Sequence, residues 1–280
     1  MKCDYISFAQ KIIEGRCSTN NGDDVYHSTS FIYKTTNEDM QYYQKYLQDC
    51  NRALTVISSS EQIFNQVVEG TSNIDIFDIS IFPYYYFTLK RAGILLFSEV
   101  NKYCDFFYGD IDVEGDDYYD DMYDEMRKFL DSDSKEFWDS LFSFYDWSDI
   151  YHSMLFSSEP YTLKRVVNRN KHLQPVEYLK LHDTISKVNF TPYIGDINQL
   201  ADNLPSSYDV VNLSNISTYQ SVASYRKLLE AIPLEKNGQV LSYFYQIDDK
   251  VRNSFQELSP IYDVFPNHNG VMIYTKKASK

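Results

Sequence analysis

Residues 53–80, ALTVISSSEQIFNQVVEGTSNIDIFDIS, carry two different hydrophobic periods in succession. Residues 53–57 (ALTVI) form a short apolar, β-branched run of the kind that makes a buried strand, and three serines at 58–60 supply a tight turn. Ile63, Phe64, Val67 and Val68 then recur at helical spacing, and Gly70 is placed to end the helix. Residues 73–77 (NIDIF) make a second strand with Asp78 at its carboxyl end. Strand, helix and strand at this spacing form a βαβ unit, whose two strands pair in parallel.

The same two periods continue on both sides of this unit. Upstream, Ile6, Phe8, Ile12 and Ile13 are spaced helically, a polar stretch fills 18–24, and 40–47 (MQYYQKYL) is a second helical segment. Downstream, 83–109 are helical and aromatic, and the acidic, tyrosine-rich stretch 110–124 is expected as a solvated loop entering a helix. Residues 125–185 carry more helical pattern, including FWDSLFSFYDW and the basic segment LKRVVNRNKH at 163–172. Strands return at 188–193, 208–213 (YDVVNL), 239–245 (QVLSYFY) and 271–274 (VMIY). Alternation of this kind predicts an α/β sheet with helices on both faces. The organisation expected is an N-terminal helical segment (1–50), the first part of an α/β domain (51–109), a helical insertion acting as a lid (110–185) and the second part of the α/β domain (186–280).

Composition narrows the function classes. Forty acidic against 26 basic side chains leave a net charge of −14, which disfavours a nucleic-acid partner bound by counterion release. The 26 tyrosines and 18 phenylalanines, set against nine glycines, favour aromatic packing. Cys3, Cys17, Cys50 and Cys104 lack CxxC pairing and are expected as reduced thiols of a cytoplasmic protein. The longest uncharged apolar stretch falls far short of the ~18 residues of a spanning helix, so no integral membrane segment is expected. None of the five histidines, at 27, 152, 172, 182 and 268, has a partner at ligand spacing, and no metal is expected. Lys164, Arg165, Arg169 and Lys171 either receive an anionic substrate or form the wet face of a helix.

In an open α/β sheet a ligand lies outside the carboxyl ends of the strands, where strand order reverses. That places Ser58, Ser59, Ser60, Glu61 and Gln62 of the first turn, and Asp78, Ile79 and Ser80 after the second strand, at the candidate site. Asp196 and Ile197 follow the third strand, and residues 212–217 (NLSNIS) follow the fourth. Asp78 lies 20 residues after Ser58, the separation at which a carboxylate accepts both ribose hydroxyls of an adenosine. Each feature has a plainer reading as well. Ser58 and Glu61 match a helix-capping box, Asp196 either meets an adenine edge or caps the next helix, and Asn212, Ser214 and Asn215 either face a ligand or build a turn. The turn lacks the glycines of a dinucleotide fingerprint, which argues against NAD or FAD.

The ordered set strand-SSSEQ-helix, strand-DIS, strand-GDI, strand-LSNIS resembles a class I S-adenosylmethionine-dependent transferase. TTNED at 35–39, VISSSEQIFNQVVEG with IDIFDIS, and YDVVNLSNISTY resemble more closely the S-adenosylmethionine 3-amino-3-carboxypropyltransferases related to betaine-lipid synthesis and their uncharacterised bacterial relatives. The resemblance covers roughly residues 30–110 and 190–220 and departs at the first turn, where serines stand in place of glycine and aspartate, and after Asp78-Ile79, where Ser80-Ile81 replaces the common Asn-Pro. It implies a Rossmann-like class I methyltransferase-type sheet and S-adenosylmethionine as co-substrate without a metal. Asp78 would bind the ribose, 58–62 the methionine moiety, and Asp196 with Ile197 the adenine. Asn212 to Ser217 would border the sulfonium. The implied activity is transfer of a 3-amino-3-carboxypropyl group to a small-molecule or lipid-like acceptor. Methyl transfer and a non-catalytic S-adenosylmethionine-binding protein are the alternatives. Candidates near the reacting atoms are Asn212, Asn215, Tyr219 and Tyr33, although for any one tyrosine core packing is the simpler role. Oligomeric state is left open by the sequence.

Overall fold

A computed structural model of the chain describes residues 5–16, 32–109, 116–157, 161–204 and 207–276. Cys3, Cys17, His27, the polar stretch 18–24 and the first part of the acidic run, 110–115, lie outside the described residues. In chain order the elements are α1 (Tyr5–Ile13), α2 (Met40–Tyr43) continued by a 3-10 turn (Gln44–Leu47), β1 (Arg52–Val56), α3 (Glu61–Val68), β2 (Asn73–Asp78), α4 (Phe82–Leu96), α5 (Val100–Tyr108), α6 (Asp116–Met126), α7 (Ser132–Phe142), α8 (Trp147–His152), α9 (Leu163–Arg169), α10 (Pro175–Thr184), β3 (Asn189–Ile194), α11 (Ile197–Leu200), β4 (Tyr208–Asn212), α12 (Val222–Ala231), β5 (Leu234–Phe244), α13 (Asp249–Ser254), β6 (Ile261–Val264) and β7 (Gly270–Thr275). They group into two compact units. One comprises Met1–Thr36, Ser58–Glu61 and Ser80–Ser186, and the other Asn37–Ile57, Gln62–Ile79 and Lys187–Lys280.

The second unit contains the sheet, in the order β3-β2-β1-β4-β5-β7-β6. Strands β1 to β5 are parallel, with Val56 opposite Phe77 and Thr55 opposite Asn212, while β7 runs antiparallel to both β5 and β6. Alternation along the strands gives each face its own cover. Leu54, Val56, Phe77, Val211, Val240 and Met272 join Ile197, Tyr225, Leu228, Leu229 and Phe255 of the α11, α12 and α13 region in one core. On the opposite face the Tyr243 ring lies 6.0 Å from Tyr43, and Gln239 donates to the Tyr46 carbonyl at 2.8 Å. Gln66 of α3 donates to the Leu47 carbonyl at 2.9 Å, tying α3 to the same segment. Pro192 sits in β3, an outer strand, where its missing N–H breaks no ladder.

The first unit is helical and aromatic. Trp138 and Trp147 are fully buried, with ring centroids 6.2 Å apart, and Phe106, Tyr119 and Phe142 pack on Trp147. The Trp138 indole donates to the Tyr85 carbonyl and the Tyr178 hydroxyl to the Phe97 carbonyl, each at 2.9 Å, so the polar tips of these two rings are satisfied as they are buried. Cys50 and Cys104, in separate units, are buried free thiols, and burial pushes them up to about 11 and about 12.

Several expectations need correcting. The strand IYDV at 261–264 was not foreseen, because its residues are mostly exposed and its partner β7 supplies the apolar pattern. The acidic stretch is already helical from Asp116, carried by Tyr119 and Tyr123, which are buried on one side of an otherwise acidic helix. Ser58 stands three residues ahead of the first helical residue, too far to be its N-cap, and Glu61 is engaged elsewhere, so no capping box forms there. β5 begins at Leu234, five residues before the apolar run.

Gly270, where β7 meets β5 and β6, leaves no room for a side chain: a Cβ would lie 2.3 Å from the Asp263 carbonyl and 2.7 Å from Ile247 Cδ1. Gly270→Ala is therefore expected to destabilise the protein by about 1–3 kcal/mol, read as a lowered urea midpoint.

Candidate functional site

The carboxyl edge of the sheet gathers the polar residues of the second unit. Asp78 is the last residue of β2, half-buried, and its carbonyl accepts the Gly195 N–H at 2.8 Å. Asn212 ends β4, and its Oδ1 accepts the Ser214 N–H at 3.0 Å, which holds Ser214 in the left-handed region at φ 51°. Ser214 and Tyr43 both donate their hydroxyls to the carboxylate of Glu38, a residue only 1% exposed. Gln62 is a further hydrogen-bond partner of that carboxylate. Of the residues expected at the site, Gln62 and Ser214 meet at Glu38, and Asn212 holds the backbone of Ser214; Glu38 lies within TTNED but was not singled out as a functional residue.

Burial raises the Glu38 pKa, hydrogen bonds from Ser214, Tyr43 and Gln62 pull it back, and the neighbouring Asp39 charge raises it further. Burial, followed by the Glu38 charge, also holds the Tyr43 phenol well above its usual range. Such a carboxyl takes up and releases a proton closer to neutrality than a solvated glutamate does.

The remaining residues are placed as follows. Asp196 caps α11, its Oδ1 accepting from the Asn198 N–H at 2.9 Å and the Asn198 side chain at 2.8 Å, so the capping role holds. Ile197 is buried in the sheet core, and Ile79 is exposed. Asn215 donates to the Tyr245 hydroxyl at 2.9 Å, which in turn donates to Asn37 at 2.8 Å. Tyr219 is half-buried in a 3-10 turn after β4.

The first unit holds Tyr33, Ser80 and the turn Ser58–Glu61. Ser58 and Ser60 have φ of 46° and 77°, so the turn after β1 keeps a backbone of the type glycine favours although it is made of serines. Ser59, Ser60 and Glu61 are fully buried, and Ser80 Oγ accepts the Phe82 N–H at 3.3 Å. Beneath the turn lies Lys90, fully buried, whose ammonium donates to Glu61 at 2.8 Å, the Ser59 carbonyl at 2.8 Å and the Lys34 carbonyl at 3.0 Å. Tyr108 adds a second hydrogen bond to Glu61 at 2.8 Å. All three ammonium protons are thus used, which is the condition for burying a lysine charge. Lys90 was not legible in the sequence because it stands within an apolar, aromatic helix with no local partner.

The described residues contain no group of three or more His, Cys, Asp or Glu side chains arranged to hold a metal ion, and no helix among them is long and apolar enough to cross a membrane. No protein-family model matches the sequence, and no curated protein does. Among solved structures the chain is similar to an O-methyltransferase family protein from Burkholderia thailandensis, with 6% identity, 98% of this chain and 58% of that chain covered, and a TM-score of 0.38. It is also similar to the rRNA methyltransferase aviRa from Streptomyces viridochromogenes, with 9% identity, 84% and 82% coverage and a TM-score of 0.42. A third is the glycopeptide N-methyltransferase MtfA complexed with S-adenosylmethionine, with 12% identity, 89% and 69% coverage and a TM-score of 0.36. The chain spans little more than half the length of the first of these, 58%. Likenesses this distant transfer no residue roles. The strand order itself, β3-β2-β1-β4-β5 in parallel with an antiparallel β7 set between β5 and β6, makes this a Rossmann-like sheet of the class I methyltransferase type.

The Glu38 assignment has a thermodynamic consequence. Because its folded pKa is raised, the contribution of Glu38 to stability is fully present below the ordinary value of 4.5 and is lost as pH rises through the folded value. Gln mimics the protonated form and does not titrate. Glu38→Gln should therefore gain in melting temperature relative to the unsubstituted protein as pH is raised from 4 to about 8, a trend that melts at a series of pH values would show or refute.

Proposed function

We propose that the protein is an S-adenosylmethionine-dependent transferase that moves a 3-amino-3-carboxypropyl group to a small-molecule or lipid-like acceptor. The observation that carries the reading is the backbone after β1 and β4. Ser58, Ser60 and Ser214 all hold positive φ, a conformation that costs a non-glycine residue about 1–3 kcal/mol. Strain of this kind is kept where the backbone must take one shape, and here it follows the two strands between which the strand order reverses. Asp78, at the end of the neighbouring β2, supplies a carboxylate for the ribose hydroxyls. Asn212 and Ser214 supply polar groups at the end of β4.

The sulfonium of the co-substrate makes its three attached carbons electrophilic, so the protein's task is to align a nucleophile for in-line displacement. The acceptor's lone pair forms the new bond to the γ-carbon of the methionine chain. The carbon–sulfur bond breaks with its electron pair passing to sulfur, which leaves methylthioadenosine. The acceptor's proton passes to a base or to solvent. Preference for this carbon over the methyl rests on the resemblance of TTNED and YDVVNLSNISTY to the aminocarboxypropyltransferases.

Mass spectrometry of the nucleoside released from S-adenosylmethionine in a host-cell extract, with Asp78→Ala as control, tests the reading. Methylthioadenosine in excess over the control is expected. S-adenosylhomocysteine in excess would make the protein a methyltransferase, and tight binding without either product would make it a binding protein. Asp78→Ala should weaken S-adenosylmethionine at least about tenfold, as the loss of charge-assisted hydrogen bonds demands, with an unchanged circular dichroism spectrum. Unaltered affinity in calorimetry would remove Asp78 from the site.

A further inference from the structure

Helix α4 is apolar and aromatic along most of its buried length, and Lys90 stands in its second half. Lys90 and its partner Glu61 are both fully buried, and the ammonium lies between ring faces, 4.6 Å from the centre of Tyr86 and 5.0 Å from that of Tyr108. Burial lowers the Lys90 pKa, and the Glu61 charge opposes that shift. Two apolar side chains of similar volume fill such a place at equal or better stability. Stability alone therefore gives no reason for an ion pair here, and the reason lies in what the ammonium holds.

Besides Glu61 it holds two backbone carbonyls from segments far apart in the chain. One belongs to Ser59, at 2.8 Å, the residue set between Ser58 and Ser60 with their φ of 46° and 77°. Serine lacks the freedom of glycine in that region, so the turn keeps its shape only where its neighbours fix it. The other carbonyl belongs to Lys34, at 3.0 Å. Residues 32–34 are anchored from a second direction as well. The Ile32 N–H donates to the Leu155 carbonyl at 3.0 Å, the Ser157 N–H to the Ile32 carbonyl at 2.8 Å, and the Lys34 N–H to Ser157 Oγ at 3.3 Å. Lys34, itself only 8% exposed, turns its ammonium to the Tyr151 ring, 3.8 Å from the centre, and it is the Lys34 backbone that meets Lys90.

Within the first unit one ammonium thus ties α4 to the turn after β1 and to the segment that carries Tyr33. We propose that Lys90 is a positioning residue, which through the Ser59 and Lys34 carbonyls keeps the Ser58–Glu61 turn in the shape that receives the methionine moiety of S-adenosylmethionine. The ligand in this statement rests on the transferase reading, whereas the hold on the turn does not. Lys90 itself is fully buried and acts through the backbone.

The test compares Glu61→Gln with the double variant Glu61→Gln/Lys90→Met, both in the full chain. The glutamine keeps an oxygen for the Tyr108 hydroxyl, and the double variant leaves no buried charge alone, so both are expected to fold. If the double variant does not fold, Glu61→Gln/Lys90→Gln, which keeps a polar but shorter group, takes its place. Serine labelled with a 13C carbonyl and 15N gives separate signals for adjacent serines, and those of residues 58–60 are assigned by their loss in Ser59→Ala. The Ser59 carbonyl and Ser60 amide signals should move in the double variant and stay near their places in Glu61→Gln. In calorimetry the double variant should bind S-adenosylmethionine at least about tenfold more weakly than Glu61→Gln, the scale of lost hydrogen bonds from a charged group. Tyr108→Phe, which cuts a bond to Glu61 but none to the turn backbone, should keep its affinity. Unmoved serine signals in the double variant would overturn the proposal. So would unchanged affinity, or an equal loss in Tyr108→Phe, which would make the effect a general loosening of the aromatic core. Serine signals that move in the double variant of a chain that binds no S-adenosylmethionine in its unsubstituted form would overturn the transferase reading and support the hold of Lys90 on the turn.

Discussion

Strand β1 is hydrogen-bonded in parallel on both sides, to β2 and to β4, and the rest of the second unit depends on that placement. A strand flanked in this way has both faces buried, which is why residues 53–57 are continuously apolar apart from Thr55. Near the amino ends of these strands a polar cluster joins all three. Asp75 of β2, 2% exposed, accepts from Arg52 of β1 at 2.8 Å and from the Tyr208 hydroxyl of β4 at 2.7 Å. Asp209 accepts from the N–H groups of Asn51 and Arg52 at 2.9 and 3.0 Å. These carboxylates are satisfied inside the protein, and with the register set there, the carboxyl ends of β1, β2 and β4 lie at one edge of the sheet.

After β1 and β4 the chain departs from the glycine-rich turns usual in nucleotide-binding α/β sheets without giving up their backbone. Serines take the left-handed conformation at 58, 60 and 214. In the first unit the Lys90 ammonium holds the Ser59 carbonyl and the Glu61 carboxylate together. In the second, the Asn212 side chain receives the Ser214 N–H. A strained turn persists only where surrounding bonds over-determine it, and both turns have such bonds. The missing glycines therefore mark a change in how the turn is supported rather than the loss of the turn.

The abundance of tyrosine has a mainly structural explanation. Tyr43, Tyr86, Tyr103, Tyr119, Tyr178, Tyr208, Tyr225 and Tyr243 are among the largest fully buried side chains, and several send the hydroxyl to a carbonyl or carboxylate: Tyr43 to Glu38, Tyr178 to Phe97 and Tyr208 to Asp75. An apolar ring with a satisfiable tip fills a core and crosslinks it at once.

Hydrophobic period and β-branching are local properties, so the strands at 53–57, 73–77, 188–193, 208–213, 239–245 and 271–274, and the helices between them, could be read from the chain alone. Six of the seven strands were legible in this way, and β6 was not, because an outer strand paired only with β7 needs little apolar pattern of its own. Asp78, Asn212 and Ser214 were legible because strand ends locate themselves. Glu38, Lys90 and Lys34 were not. Each is a charged residue in a segment whose pattern gives no reason to bury it, and each is buried by partners distant in the chain: Ser214 for Glu38, Glu61 for Lys90, and the Tyr151 ring for Lys34. Local period determines which residues form a strand or a helix. Where a charge is desolvated depends on contacts between segments far apart in sequence, and these only the tertiary structure decides.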